Sequence, residues 1–599
     1  MALDLSFGGT AFPRAAEVRR LLYDNACGGM STRFRVLDRL DAFARCAEYD
    51  HQTTDWNGRQ ADALETISPS AVLPYGYTQP ALGDTSIRER RPTAPARLVP
   101  TIIGRFSDLL FSENKIPWLS VEGDEDADDF VRAVFDTFGF WVKFYEARGY
   151  GGAMGSSLLM TSLQNGRFKL RPFSPKVVQD IVWEDRDQLI PAGVLIQYET
   201  IKSYEVLDER SRRPTGEIRE VPFCYRRIID EERDIVFKEK EMGDDGKPPQ
   251  EMEIDQRASV MHGLGRFPGC WVQNLPRSDV IDGEPDAEGI FQMVDSADRL
   301  NSQANFALMA NMDPTLILSR DPKMRKMGGG GSIKKGSRDA IDVGLQGSAN
   351  YLEFGAAAIG AARELAKDFR QQALDKSACI LPGQEEQAAA QSAKAIEYRF
   401  APMLSKAGRL RTQWGAAVKT IAEIVLELSR KWGKPESYAV NARPTFALPH
   451  RVIEMDADPD NPDVEPIRTE RIRHPGKGGT VVLEWGDYFA PTPADTQQEV
   501  TTLVAAKEGG LIDQETAIKR AAPHFGVRDT RTLYRKVQEE AAEKDRKQAD
   551  MMAGLPLGGM QSDLAADYAQ QGQQPPPPPP SAGGNGEERP PPAGQGGFG

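Results

Sequence analysis

The sequence has few residues of the kinds that build disulfide or metal frameworks. Its 599 residues include five cysteines and five histidines. The cysteines are odd in number and never spaced as C-x-x-C, and the histidines are equally dispersed. We therefore expect neither a disulfide framework nor a metal site, and we interpret the cysteines as small apolar residues of a reduced compartment. They are Cys27, Cys46, Cys224, Cys270 and Cys379.

Long apolar runs are also missing. No uninterrupted apolar stretch reaches the roughly 20 residues that cross a bilayer. The N-terminus has no basic region followed by an apolar core, which is the pattern of a secretory signal. We therefore expect a soluble protein that is not secreted by a standard signal and does not associate with a membrane.

Catalytic and cofactor-binding motifs are absent or incomplete. The stretch Gly331–Arg338 has two glycines at the spacing of a phosphate loop, but Ser and Arg stand where Lys and Ser or Thr are required. In Gly149–Met154 a methionine replaces the last glycine of the dinucleotide fingerprint. Asp456–Ile467 begins like a calcium loop, but Asn461 and Ile467 replace its turn glycine and its bidentate glutamate. We expect no cofactor and no enzymatic activity.

The formal net charge is -14. General nucleic-acid binders are usually basic, so this charge argues against such a role. An acidic protein can still pass DNA through a repelling channel, and global charge does not exclude DNA as a cargo. A chain of this length is too long for one core and predicts three or four structural regions.

Two long helical patterns dominate the second half of the chain. Apolar residues recur at helical spacing in Ala356–Ala378 and again in Ala388–Trp432, where Pro402 predicts a kink or a break. Leu381–Gly383 interrupts the pattern. The polar loop Gly383–Gln387 follows at once and separates the two helices.

A third helical pattern, Glu288–Met312, matches the first of these in length. The two would be roughly 37 and 35 Å long at 1.5 Å per residue, and they bracket residues 313–355. This insert contains a four-glycine tract and is the most basic compact stretch of the protein. Its charges allow either a solvated loop or a contact with DNA or an acidic partner. The basic residues are Arg320, Lys323, Arg325, Lys326, Lys334, Lys335 and Arg338.

The remaining patterns predict helices before residue 150 and strands after it. Asn165-Gly166 between apolar runs is the clearest hairpin signal. The predicted helices are Ala15–Leu22, Arg33–Ala47, Leu98–Phe111 and Phe130–Tyr145, and the predicted strands are Ser157–Thr161, Phe168–Pro172, Val177–Trp183, Gly193–Glu199, Pro222–Ile229, Arg233–Lys238, Thr445–Leu448 and Thr480–Trp485.

Three helices near the C-terminus are predicted to start at aspartate N-caps, namely Asp495, Asp513 and Asp529. They cover Asp495–Lys507, Asp513–Ala522 and Asp529–Asp550. From Met551 the composition changes to Gly, Pro, Gln and Ala, with six consecutive prolines. Such a tail cannot bury enough apolar surface to order itself, so we expect disorder there.

Three stretches resemble portal proteins of tailed double-stranded DNA bacteriophages. The first is Phe267–Asn274 (FPGCWVQN), followed by a helix that contains Val294–Ser302 (VDSADRLNS). The second is Gln391–Glu397 (QSAKAIE), near the start of the long helix. The third is Lys507–Ala517 (KEGGLIDQETA), followed by the acidic helix at Tyr534–Glu540. The order of these stretches, together with the bracketed insert, makes residues 95–550 similar to this family.

The resemblance implies an α+β fold with wing, stem, clip and crown regions, assembled as a ring around a central channel. The uncertain N-terminal helical region 1–94 would precede the wing at 95–287. The stem helices would be 288–312 and 356–378, on either side of the clip at 313–355. The remaining regions would be the tunnel loop at 379–387, the long kinked helix at 388–432, wing return strands at 433–493, crown helices at 494–550 and the disordered tail at 551–599.

The resemblance also implies function. A portal forms a ring, typically of twelve subunits, at one capsid vertex, where terminase drives DNA into the head. It later joins head to tail and passes DNA during ejection. The implied partners are other copies of the chain, the terminase large subunit, major capsid and scaffolding proteins, head-completion or adaptor proteins, and double-stranded DNA as cargo. The implied location is the virion, with the host cytoplasm during assembly.

Within this architecture two residue sets become candidate sites. Tunnel-loop residues Gln384, Glu385, Glu386 and Gln387 would face moving DNA, and repeated carboxylates around a ring would repel its backbone. The clip residues that would contact terminase or an adaptor are Lys323, Arg325, Lys326, Lys334, Lys335 and Arg338. Two other classes stay open: a structural capsid or adaptor protein that is not a portal, and a nucleotide-dependent enzyme that uses the glycine tract.

Overall fold

The computed structural model describes residues 32–49, 92, 95–207, 214–243, 246, 248–278, 280–312, 315–319, 348–352, 356–381, 393–433, 446–454, 468–488, 493–522 and 530–553. These residues form both helices and antiparallel sheets, so the described chain is α+β, as the sequence predicts. It divides into two compact units, Met1–Thr492 and Pro493–Gly599.

The helices of the first unit begin before the strand-rich region and resume after it. In chain order they are α1 (Thr32–Arg45), α2 (Leu98–Phe111), α3 (Glu125–Thr137), α4 (Phe140–Met154), α5 (Phe291–Met312), α6 (Ala356–Ser377) and α7 (Ala393–Trp432). The predictions of helices at Arg33–Ala47, Leu98–Phe111 and at both stem positions are confirmed within a few residues at each end. The predicted helix Ala15–Leu22 lies outside the described residues.

The strands of the first unit form small antiparallel sheets. They are β1 (Trp118–Glu122), β2 (Ser156–Gln164), β3 (Arg167–Phe173), β4 (Val178–Asp185), β5 (Ile190–Leu207), β6 (Pro214–Asp230), β7 (Arg233–Val236), β8 (Lys240–Glu241), β9 (Val260–Met261), β10 (Gly269–Gln273), β11 (Thr315–Ser319), β12 (Ser348–Leu352), β13 (Arg451–Glu454), β14 (Arg468–Arg471) and β15 (Thr480–Glu484). The pairing orders are β1-β15, β10-β2-β3, β11-β12, β13-β14 and β4-β5-β6-β7-β9, with β8 on β6.

The Asn165-Gly166 hairpin is confirmed. Gln164 pairs with Arg167, so the two residues form a two-residue turn between β2 and β3. Both have positive φ, 51° for Asn165 and 72° for Gly166. This is the turn whose twist matches that of the flanking strands, and Asn followed by Gly is its preferred sequence.

The prediction of one helix at Phe130–Tyr145 is wrong, because two helices meet there. The first begins earlier, where the Asp124 side chain caps it by accepting from the Ala127 amide. It ends at Thr137, and Gly139 adopts φ 65° before α4 starts. Glycine tolerates this left-handed conformation without steric cost, so the apolar pattern continues although the helix does not.

The prediction of a strand at Thr445–Leu448 is also wrong. Thr445 lies outside the described residues, and Phe446–Leu448 is irregular; the nearby strand is β13. The Phe446 ring packs against Phe130 and Phe168, with centroid distances of 5.3 and 5.5 Å. The apolar run reflects burial of an anchoring loop, which periodicity cannot distinguish from a strand.

The main core of the first unit surrounds α7. This 40-residue helix continues through Pro402, which therefore does not end it. Buried side chains on both sides of Pro402 hold the helix to α2, α3 and α4, so packing offsets the lost hydrogen bond. Full burial of a side chain such as Leu410 contributes about 1.5–3 kcal/mol. The buried stripe consists of Phe400, Met403, Ala407, Leu410, Trp414, Val418, Ile421, Val425 and Leu428.

The second unit contains α8 (Pro493–Glu508), α9 (Gln514–Ala521) and α10 (Thr530–Ala553). Asp513 is confirmed as an N-cap, because its carboxylate accepts from the Thr516 amide. Asp495 is not one, since α8 begins two residues earlier at Pro493, a residue suited to a first helical turn. Asp529 lies outside the described residues. Because α10 continues to Ala553, the helix extends past the predicted start of the tail at Met551.

Candidate functional site

All the residues predicted to face DNA or a docking partner lie outside the described residues. This holds for both sets: Gln384, Glu385, Glu386 and Gln387, and Lys323, Arg325, Lys326, Lys334, Lys335 and Arg338. The structure does describe the elements that lead into and out of both segments. Those elements form the candidate site.

Helices α5 and α6 pack as an antiparallel hairpin. The Lys376 ammonium near the end of α6 donates to the Gly289 carbonyl before α5, at 3.0 Å. Further along, the Arg363 guanidinium donates to the Asn305 side chain at 3.5 Å. Both helices have 22 residues, so each is about 33 Å long.

A short ribbon closes the far end of this hairpin. Strand β11 follows α5, β12 precedes α6, and the two pair antiparallel from Thr315–Leu352 to Ser319–Ser348. The Ser319–Ser348 pair fixes both ends of the basic segment 320–347 next to each other. The sequence predicted only a bracketed insert, and the structure adds the ribbon that holds it.

Four buried alanines are regularly spaced along the two stem-like helices. Ala297 and Ala304 on α5, and Ala366 and Ala373 on α6, are buried at a spacing of seven residues. The antiparallel register set by the two contacts above places Ala297 near Ala373 and Ala304 near Ala366. A repeat of seven makes a narrow seam, and small side chains allow a close approach of the helix axes. Leu365, which lies within the apolar helical pattern predicted at Ala356–Ala378, is instead 46% exposed.

The narrow seam leaves large apolar side chains in solvent. Met309 and Met312 are 70% and 81% exposed, and Phe306, Leu308 and Leu365 are also exposed. Apolar residues concentrated on one hairpin differ from isolated ones, which are normal on any surface. The hairpin therefore presents an apolar surface near its ribbon end.

Backbone hydrogen bonds fix the end of α6 at the start of the predicted tunnel loop, 379–387. The Cys379 amide donates to the Leu374 carbonyl at 2.9 Å and the Ala378 amide to the Asp375 carbonyl at 3.1 Å. This is the Schellman pattern, with Ala378 in the left-handed position at φ 55°. Cys379 and Leu374 are both buried, and burial raises the pKa of the Cys379 thiol to about 11. Cys379 therefore acts as a small apolar residue here.

Lys406 of α7 ties both helix ends of the hairpin to the core. Its ammonium donates to the Asp286 carbonyl at 2.8 Å and to the Ser377 carbonyl at 3.0 Å. It also lies 4.6 Å from the centre of the Phe106 ring. Burial lowers the pKa of Lys406, against the opposing effect of Asp286. One buried side chain thus joins the chain before α5, the end of α6 and α7.

A buried ion pair lies beside this lysine. The Arg148 guanidinium of α4 donates to both carboxylate oxygens of Asp286, at 3.0 and 2.8 Å, and both side chains are fully buried. The Asn274 amide donates to the same carboxylate at 3.1 Å, and its oxygen accepts from the Trp414 indole at 3.4 Å. Removing one member of such a network leaves a buried charge uncompensated.

Two glycines make room for this network. A Cβ on Gly151 would lie 2.7 Å from the Trp414 ring, and one on Gly152 would lie 2.4 Å from the Arg148 guanidinium. Both glycines are inside α4, so the glycine-rich stretch that fails the dinucleotide pattern is a helix face. Its glycines permit close packing, which is the commonest alternative to a ligand role.

Asp298 of α5 anchors the chain that precedes α2. It accepts from the Tyr49 hydroxyl at 3.1 Å and from the Ala96 amide at 2.8 Å. Burial raises the pKa of Asp298 to about 6, with a smaller contribution from nearby Asp295. Burial and the charge of Asp298 together raise the pKa of Tyr49 far above its usual value, so this phenol stays protonated.

The described residues contain a cavity but neither a metal-binding cluster nor a membrane-spanning helix. They contain no group of three or more His, Cys, Asp or Glu side chains that could hold a metal ion. No helix among them is both long and apolar enough to cross a membrane.

A half-open cavity of about 290 Å³ lies between the β2–β3 hairpin, His262 and the end of α7. Burial lowers the pKa of His262.

Sequence reasoning did not identify the buried network. Its signals were charged residues inside apolar helical patterns: Arg148 in α4 and Lys406 between Met403 and Leu410 in α7. A lone charge of this kind is usually solvent-exposed, and only its three-dimensional partners distinguish the two cases. Comparison of the whole chain with known proteins found no matching protein family and no similar curated protein.

Proposed function

We propose that this protein is the portal protein of a tailed double-stranded DNA bacteriophage. The observation that carries the proposal is the α5–α6 hairpin, with its β11–β12 ribbon, basic segment and following 40-residue helix. This order fits a stem, a clip, a tunnel loop and a long core helix. The α2–α4 and strand-rich parts would form the wing, and α8–α10 the crown.

The exposed apolar residues of the hairpin support assembly. Met309, Met312, Phe306 and Leu365 would be buried by neighbouring copies once a ring closes. A ring requires heterologous contacts, in which two different surfaces of one subunit meet the neighbours on each side. The narrow alanine seam fits this role, because a helix pair that buries little internally retains surface for neighbours.

Ring formation is the direct test of this proposal. We expect purified protein to form closed rings with a central hole in negative-stain images, and native mass spectrometry to give the subunit number. Monodisperse monomers at micromolar concentration would contradict the proposal. Hydrolysis of ATP by the isolated protein would instead favour a nucleotide-dependent enzyme.

The tunnel-loop residues are proposed to keep DNA moving. Glu385 and Glu386 of every subunit would repel phosphates, since many Lys or Arg contacts would hold DNA strongly and in a salt-dependent way. Changing both to Lys should stall packaging in vitro while rings still form, whereas changing both to Gln should have a smaller effect. Packaging at the normal rate by the lysine variant would contradict this role.

The basic clip residues are proposed to dock the terminase motor and later the head-completion proteins. Replacing Lys323, Arg325, Lys326, Lys334, Lys335 and Arg338 by Gln should abolish motor docking and leave ring assembly intact. The fraction of terminase that co-sediments with rings measures docking. Normal packaging by this variant would exclude the proposed contact.

A further inference from the structure

Strands β5 and β6 extend well beyond the sheet that contains them. They pair in unbroken register from Gly193–Asp230 to Glu205–Ile218. Strand β4 pairs with β5 only as far as Ile196, and β8 pairs with β6 only at Phe223 and Cys224. Within the described residues, the ladder pairs of Ile201–Glu205 and Ile218–Pro222 are therefore only with each other, and one further backbone bond runs from the Met242 amide to the Pro222 carbonyl. We call this two-stranded extension the arm.

An arm of this kind is poorly stabilised by itself. A two-stranded hairpin is marginal in water, because it has no second layer to bury either face. Yet this arm exposes large apolar side chains: Ile201 is 51% exposed, Tyr204 47% and Ile218 69%. Edge strands of this kind also present backbone N–H and C=O groups that can pair with a strand of another chain.

The two faces of the arm differ in charge. Directly paired residues lie on the same face, and successive residues alternate between faces. Within the arm, one face holds Lys202, Tyr204 and Arg219; Tyr204 packs on Phe223, the β6 residue next to the arm, at 6.0 Å, and the Lys202 ammonium lies 4.8 Å from the Phe223 ring. We call this the basic face. Lys202 also forms an ion pair with Glu239, and Arg219 is a second, exposed cation on this face.

The opposite face is acidic. Glu205 and Glu220 lie on it, and both are exposed. Ile201, Pro222 and Ile218 lie on the same face and are exposed as well. This acidic face thus combines apolar side chains with negative charge, while the basic face combines aromatic side chains with positive charge.

We infer that the arms of neighbouring copies stack on each other, with the basic face of one against the acidic face of the next. This inference rests on the proposed ring, and it identifies the surface that the copies share. Opposite charges on opposite faces cannot form a two-fold contact of one face with itself. They form a head-to-tail contact, which closes into a ring when the rotation between copies is right.

Adjacent residues Arg219 and Glu220 allow a sharp test, because they lie on opposite faces. Arg219→Glu makes both faces acidic, and Glu220→Arg places a cation on the acidic face, so each change puts like charges at the contact. Each single variant of the full chain should raise the concentration for half-assembly by about tenfold or more. The double variant Arg219→Glu/Glu220→Arg exchanges the charges, keeps the net charge and should assemble better than either single variant.

Mixing the Arg219→Glu and Glu220→Arg variants provides a second prediction. The two single variants combined in equal amounts should form mixed rings at concentrations where neither assembles alone. Arg186→Glu and Asp187→Arg, two exposed adjacent residues in the β4–β5 turn, carry the same charge changes and should assemble like wild type. Circular dichroism and thermal unfolding establish that each variant is folded, and native mass spectrometry measures assembly.

The outcomes separate the inference from the proposed function. Wild-type rings, together with arm variants that assemble at unchanged concentration, would overturn the arm contact and leave the portal proposal intact. Single variants that lose assembly without rescue in the double variant or the mixture would also overturn the pairing of opposite faces. Arm-dependent open filaments would support the contact and contradict a closed portal ring. A monomeric wild type would overturn both.

Discussion

The Trp414 ring of α7 packs directly over Gly151 of α4, where a Cβ would come within 2.7 Å of it. Gly151→Ala should therefore force the tightly packed ring or the helix to shift and destabilise the protein by about 1–3 kcal/mol. Gly149→Ala is the matched control in the same helix, because nothing lies within 4 Å of its Cβ position. It should stabilise by about 0.5–1 kcal/mol, since alanine is the better helix former. Urea unfolding measures both, and equal effects would contradict this packing.

The left-handed residue at the end of α6 offers a stabilising change. Ala378 adopts φ 55°, where glycine has no Cβ penalty. Ala378→Gly should stabilise by roughly 1 kcal/mol, because the strain relieved exceeds the added freedom of the unfolded chain. Ala361→Gly, at an exposed position inside the same helix, should instead destabilise by about 1 kcal/mol. Thermal unfolding that shows the same sign for both changes would exclude this account.

The seam of buried alanines predicts that the stability of the hairpin depends strongly on side-chain size at these positions. Ala366→Leu places a large side chain between α5 and α6 and should cost about 1–3 kcal/mol through overpacking. Ala361→Leu on the exposed surface of α6 should be nearly neutral, because Leu and Ala have similar helix propensities. Limited proteolysis of the hairpin, followed over time, compares the two variants. Equal resistance in both variants would show that the seam does not hold the helices together.

The burial of Asp298 predicts how the stability of the protein changes with pH, including the sign of the change. Its pKa is about 6 in the folded protein, against 3.8 for an unperturbed carboxyl, because burial disfavours its charge. The folded state therefore binds a proton more tightly, and this group's contribution to stability rises as the pH falls from about 6 to 3.8. Over that range it amounts to at most about 3 kcal/mol and is lost again as the pH rises through 6.

Asp298→Asn should remove this contribution. The difference in unfolding free energy between wild type and variant should then change between pH 4 and pH 7, with the wild type gaining at low pH. Tyr49, Asp295 and Arg299 are the ionisable groups that act on this carboxyl, Glu48 acts on Tyr49, and all four would still be present. Asp136→Asn, at an exposed site, should keep the wild-type profile. Parallel profiles for wild type and Asp298→Asn would contradict the burial of this charge.

Local patterns were enough for the long elements. The stem-like helices, α7, the Asn165-Gly166 hairpin and the Asp513 cap follow from apolar spacing, turn chemistry and hydrogen bonding between near neighbours. The sequence-based predictions were wrong where the same apolar pattern is compatible with more than one structure. Phe130–Tyr145 retained its pattern across the turn at Gly139, and the run before Leu448 was apolar because Phe446 anchors a loop in the core.

The sequence alone therefore determined most of the helical segments, where the basic and acidic segments lie, and that helices and strands both occur. Tertiary structure decided what those segments contact. Alanines rather than Leu365 are buried along the α5–α6 hairpin, Lys406 fixes the chain on both sides of that hairpin, and the β5–β6 register places Arg219 opposite Tyr204 and Glu220 opposite Ser203. The physical reason is the distance along the sequence over which each interaction acts. Periodicity and capping are set by residues within a few positions, whereas the Arg148–Asp286 pair, the seam and the arm depend on residues brought together only by folding.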